Sequence, residues 1–153
     1  MPGERAARSA QRLRRGYTSQ VDRELVIAAL RARLEREPRL IAAWLFGSAA
    51  RDASRPDSDV DVAILGGDAA AGTLDDLRLD LQADLSAVIG RDVDLVVIDR
   101  APADLVHRVL RDGMLVTERD RAARIRFEVE ARNRYFDMSP IWREYRAPRS
   151  AGR

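Results

Sequence analysis

Two aspartates, Asp59 and Asp61, stand at i and i+2 ahead of an apolar run, Val62-Ala63-Ile64-Leu65. Alternate side chains of a strand share a face, so both carboxylates point the same way, roughly 6.5–7 Å apart along the chain. Two carboxylates on one face of an otherwise apolar strand are costly to bury unless something offsets their charge. A divalent cation does so, and magnesium takes oxygen ligands while keeping positions open for water and a substrate phosphate. A second acid-then-apolar run, Asp92-Val93-Asp94-Leu95-Val96-Val97-Ile98, offers Asp94, with Asp92 on the same parity. If the two strands are neighbours, a third carboxylate joins the pair, in the outline of a two-metal phosphoryl-transfer site.

An isolated Asp-x-Asp is ordinarily a turn or a solvated strand face. What precedes this one changes the weighing. The apolar run from Leu40 to Phe46 ends in Gly47-Ser48, and a glycine there lets a phosphate approach the backbone closely. The serine hydroxyl and the amides of a following helical turn are phosphate donors. Ten residues separate Ser48 from Asp59, enough for the chain to turn back and bring phosphate cradle and metal cradle together.

Periodicity supplies the elements that must position these groups. Val26, Ile27, Leu30 and Leu34 recur at helical spacing until Pro38, which predicts a helix over 21–36. Residues 40–46 read as a strand covered on both faces, 48–52 as a short helical turn, and 59–65 as a second strand. After a linker over 66–72, Thr73 is the expected cap of a helix striped by Leu74, Leu77, Leu81, Leu85 and Val88. A third strand over 92–98 and a helix over 103–112 follow, then a short edge strand over 114–117 and a last helix over 119–136, ending before Pro140. This alternation, without an internal repeat, describes one α/β or α+β domain.

Gly47-Ser48, ten residues, then Asp59-Val60-Asp61 resembles the signature of the nucleotidyltransferase superfamily with the polymerase-beta-like fold. With Gly47-Ser48-Ala49-Ala50-Arg51 and Ser58-Asp59-Val60-Asp61 in so small a chain, residues 22–118 are similar to the minimal nucleotidyltransferases in particular. The resemblance implies an α/β (α+β) nucleotidyltransferase fold, a small mixed β-sheet packed by helices, with a C-terminal helix and tail. It implies ATP as substrate, nucleotide binding by Gly47, Ser48 and Arg51, and two Mg2+ ions held by the catalytic carboxylates Asp59, Asp61 and Asp94. Asp52 stands where the family often has glycine, so a plain surface arginine is the alternative for Arg51. Asp92 competes with Asp94, and the family's habit of placing an Asp directly before the apolar stretch favours Asp94. Many minimal nucleotidyltransferases resemble antitoxins paired with a HEPN ribonuclease toxin. The resemblance therefore implies transfer of AMP to a tyrosine hydroxyl of such a partner. Two other readings stand beside it: a binder that neutralises the toxin without catalysis, and a transferase acting on a small molecule or a nucleic acid. Three costly acids speak against the binder. After Val116 only one helix and a tail remain, where small-molecule members usually carry a substrate domain.

Composition removes other chemistries. The chain of 153 residues has no cysteine, one histidine (His107), and only arginine among its 27 basic residues. Disulfide frameworks, thiol nucleophiles, HExxH zinc pairs, Walker-type phosphate loops and Schiff-base lysines are thereby excluded. No apolar run approaches the ~18 residues of a membrane span, so no membrane partner is expected, and a reducing cytoplasm suits the composition. The net charge of +2 is too small to imply nucleic acid, yet Arg5, Arg8, Arg12, Arg14 and Arg15 crowd the first 20 residues. That arm is either solvated chain or an electrostatic contact for nucleic acid or an acidic partner. The expected division is an arm over 1–20, the nucleotidyltransferase domain over 21–118, and a C-terminal helix with a basic aromatic tail over 119–153. In the last part, Tyr135, Phe136, Trp142 and Tyr145 either pack back on the domain or form a docking patch. His107 reads as a boundary residue, Trp44 as core, and Asp75, Asp76, Asp80 and Asp84 as a solvated helix face. Tyr17 carries no assignment.

Overall fold

Val26, Leu30 and Leu34, one helical turn apart, are buried on the inner stripe of helix α1, which spans 20–34. The helix stops two residues earlier than its periodicity suggests. Glu37 is buried there, its N–H donating to the Leu34 carbonyl at 3.0 Å and its carboxylate taking two hydrogen bonds from the Arg39 guanidinium, at 2.6 and 3.2 Å. The computed structural model describes residues 20–51, 55, 57–67 and 71–146. The arginine-rich arm, Tyr17, Asp52 and the tail beyond 146 lie outside the described residues.

The remaining elements follow as strand β1 (Ala42–Phe46), short helix α2 (Gly47–Ala50), strand β2 (Val60–Leu65), helix α3 (Ala71–Ile89), strand β3 (Val93–Val97), helix α4 (Ala103–Asp112), strand β4 (Met114–Glu118) and helix α5 (Arg121–Arg146). The four strands form one mixed sheet in the order β3-β2-β1-β4. β1 runs antiparallel to both β2 and β4, while β2 and β3 are parallel, joined through α3.

Strand alternation divides the core in two. Ala43, Leu45, Val60, Val62, Ile64, Val93 and Leu95 face α1 and α3, packing on Leu30, Leu34, Leu74, Leu81 and Leu85. Ala42, Trp44, Ala63, Leu65 and Ile98 face α4 and α5, packing on Val106, Val109 and Ala131. Trp44 is therefore core, as its strand position suggests. The result is a three-layer α+β arrangement with the sheet in the middle.

Several boundaries differ from their sequence signals. Helix α3 begins at Ala71, so Thr73 lies inside it and is not the cap. Val88 is 61% exposed despite continuing the leucine stripe, because Ile89, one turn on from Leu85, takes the inward position and packs on the core. Helix α5 does not end at 136 but continues through Pro140 to Arg146. The proline forfeits one ladder bond, to the Phe136 carbonyl. That stretch is exposed, with Phe136 at 59% exposure, so the carbonyl can be solvated at little cost.

Candidate active site

β1 ends at Phe46, whose register partner on β2 is Asp61. The chain leaves the strand through Gly47, at φ +70°, where an L side chain is strained. A Cβ at this position would lie 2.2 Å from Oδ2 of Asp61 and 3.1 Å from its Cγ. Glycine is thus required twice, by the backbone turn and by the carboxylate lying against it. Ser48 follows, half-buried at the start of α2, whose first amides have no side-chain cap.

Across the sheet, Asp61 is paired directly with Asp94 in the parallel β2–β3 ladder. Both lie between residues that pack towards α1 and α3, so both carboxylates occupy the opposite face, the one that α4 and α5 cover further along the strands. That face is acidic where β2 and β3 begin and apolar where they finish. Adjacent strands are about 4.8 Å apart, which makes the two carboxylates close neighbours. Asp61 is half-buried, Asp94 and Asp59 are exposed. Burial first, then the charges of Asp94 and Asp59, push the Asp61 carboxyl above its ordinary value of 3.8. Asp61 therefore feels both neighbouring acids.

Register also separates Asp94 from its competitor. Asp94 is in register with Asp61, whereas Asp92 precedes the strand and its carbonyl accepts the Val60 N–H at 2.8 Å. Asp59 likewise sits just outside β2, which begins at Val60 and not at Asp59. Arg51 is exposed at the end of α2. Its charge reaches Asp112, at the end of α4, whose carboxyl is held low chiefly by its hydrogen bonds from Arg111.

Carboxylate oxygens are the donor set magnesium prefers, and among the described residues no ion pair offsets Asp59, Asp61 or Asp94. Also among the described residues, no three acidic or histidine side chains already enclose a point where an ion would sit. Magnesium asks for less, one or two carboxylates with water and phosphate oxygens completing its shell. The adjacent pair Asp61 and Asp94, with Asp59 beside them and a glycine backbone open to phosphate, fits that demand.

His107 is not part of this cluster. It stacks on Tyr135 with ring centroids 3.7 Å apart, and Trp142 packs 5.4 Å from the same tyrosine. Of the terminal aromatics, Tyr135 thus packs back on α4, Trp142 rests on Tyr135 within α5, and Phe136 and Tyr145 are 59% and 87% exposed. Sequence reading missed Arg91, whose guanidinium holds the backbone ahead of Asp59. One arginine between Gly90 and Asp92 carries no signal of that role.

Residues 29–122 match the family described as Polymerase beta, Nucleotidyltransferase. The protein adenylyltransferase MntA of Shewanella oneidensis is 34% identical over 95 residues, covering 61% of this chain and 63% of that relative, less than two thirds of its length. Among solved structures, a toxin–antitoxin complex with AMP-PNP contains a chain similar at a TM-score of 0.63 and 27% identity, over 82% of this chain and 98% of that one. Another similar chain comes from the complex of tri-AMPylated Shewanella oneidensis HEPN toxin with MNT antitoxin, at a TM-score of 0.58 and 26% identity, over 84% and 99% of the two chains.

Proposed function

The chain belongs to the polymerase beta nucleotidyltransferase family, and from that premise we propose that it moves AMP from ATP to a tyrosine hydroxyl of a partner HEPN-type toxin, acting as its antitoxin. The observation that carries the proposal is the pairing of Asp61 with Asp94 across parallel strands, beside a Gly47 whose missing side chain leaves room for the Asp61 carboxylate. Support for the acceptor comes from the similar chains: one relative is a protein adenylyltransferase and one solved complex holds an AMPylated HEPN toxin.

In this proposal Gly47 and Ser48 bind the triphosphate through backbone amides and the serine hydroxyl, and Arg51 adds positive charge at the rim. Asp59, Asp61 and Asp94 hold the magnesium ions. When bound, magnesium neutralises the phosphate oxygens and the departing pyrophosphate. The tyrosine oxygen bonds to the α-phosphorus as the bond from that phosphorus to the bridging oxygen breaks. Tyrosine's pKa near 10 means the hydroxyl needs help to lose its proton. Asp94, exposed beside the half-buried Asp61, accepts it as the new bond forms. No helix among the described residues is long and apolar enough to cross a membrane. The need for ATP favours the cytoplasm as the setting of the proposed reaction.

The test uses ATP labelled at the α-phosphate, with magnesium, on the protein copurified with the product of its neighbouring gene. Label on the partner, lost in the Asp59→Asn/Asp61→Asn double variant, is the expected result. A partner that stays unlabelled, yet is bound and silenced by the double variant, would replace catalysis with docking.

A further inference from the structure

We propose that Arg91 is a positioning residue for Asp59, acting through the backbone on both sides of that aspartate. This rests on the assignment of Asp59 to the metal site above. Asp59 lies outside the β2 ladder, so the sheet does not by itself fix its conformation. The chain before it closes a tight turn: the Ser58 N–H donates to the Arg55 carbonyl at 3.0 Å, and the Arg55 N–H donates to the Ser58 hydroxyl at 3.0 Å. Arg91 reaches over from the loop between α3 and β3. Its Nε donates to the Ser58 carbonyl at 3.0 Å, and its Nη2 to that oxygen and, at 3.1 Å, to the Arg55 carbonyl.

The Ser58 carbonyl belongs to the peptide unit that precedes Asp59. The unit that follows Asp59 is held as well, by the Val60 N–H donating to the Asp92 carbonyl at 2.8 Å. Residues 91 and 92 therefore clamp both peptide planes flanking Asp59, which sets its φ and ψ. Two residues later the same segment delivers Asp94 to the face beside Asp61. One stretch of chain thus places the first and third carboxylates relative to each other. A forked guanidinium is needed, because it holds several donors in a fixed plane towards two carbonyls at once, whereas a lysine ammonium is a single point.

Loss of an outer contact that orients a metal ligand typically weakens metal affinity 10–100-fold. Binding of Mn2+ alone, followed by loss of the free-ion electron paramagnetic resonance signal, reads this without turnover. Arg91→Ala is expected to weaken Mn2+ binding about 10-fold or more, and Arg91→Lys to fall between it and the parent. Arg31→Ala removes a bond of the same kind far from the site, from Nε to the Val116 carbonyl at 2.9 Å. It should lower the thermal midpoint but leave Mn2+ affinity within about twofold, since it touches no ligand. Unchanged Mn2+ affinity in both Arg91 variants, or equal weakening in Arg31→Ala, would overturn the positioning role while the metal site stands. If Arg91→Ala does not fold, the lysine variant decides by the same measure. Failure of the parent to bind Mn2+, or undiminished binding in Asp61→Asn, would instead remove the metal assignment and this inference with it.

Discussion

Replacing Gly47 by alanine separates what the turn costs from what the site costs. The residue sits at φ +70°, and a left-handed conformation costs an L residue about 1–2 kcal/mol. Gly90 sits at φ +73° with nothing within 4 Å of an added Cβ, so Gly90→Ala measures that backbone cost alone. At Gly47 the new methyl meets Asp61 Oδ2 at 2.2 Å, more than an ångström inside the 3.4 Å of ordinary contact. The carboxylate is the movable partner, so it gives way by about 1 Å and the fold survives. Urea unfolding should then show similar losses for both variants, about 1–2 kcal/mol each. Transfer of the α-phosphate label should not follow stability. A 1 Å displacement in a catalytic constellation costs on the order of 100-fold in rate. Gly47→Ala should therefore lose about that factor at saturating magnesium, and Gly90→Ala almost nothing. A Gly47→Ala protein that transfers label at the parental rate would refute the claim that the glycine backbone sets the Asp61 carboxylate.

Asp61→Asn should abolish transfer, yet in chelator at pH 7 it should unfold at or above the parental temperature. Burial and the charges of Asp94 and Asp59 raise the Asp61 carboxyl, so the stability it contributes is complete below 3.8 and lost as pH rises through its folded value. Thermal scans from pH 4 to 8 should show the asparagine's advantage fading towards acid. Glu37 has the opposite sign. Its hydrogen bonds from Arg39 outweigh burial and hold it below 4.5, so its contribution is present above 4.5 and vanishes as pH falls through the folded value. Glu37→Gln should lower stability at neutral pH and flatten the acid limb of a pH–stability profile. Leu85, fully buried between α3 and the sheet, should cost about 2–5 kcal/mol as Leu85→Ala in denaturant titration, with label transfer per folded molecule unchanged.

Residue type and spacing carried much of this protein in its sequence. The leucine and valine stripes of α1 and α3, the apolar runs of β1 to β3, and the order of Gly47, Ser48, Asp59 and Asp61 are one-dimensional features, because helical and strand periodicity are local. Local rules went astray near the ends of helices. Val88 continued a stripe whose inward place Ile89 takes, Thr73 lies inside a helix that begins at Ala71, and Pro140 was absorbed by an exposed stretch of helix. The choice between Asp92 and Asp94 was open to residue spacing, because both share a parity. Parallel register sets Asp94 against Asp61, which supports Asp94. The contact of Gly47 with the Asp61 carboxylate, and the clamp of residues 91 and 92 around Asp59, join positions 14 and more than 30 residues apart. Such contacts exist only after strands pair, since hydrogen bonding between chain segments depends on which segments the folded core brings side by side.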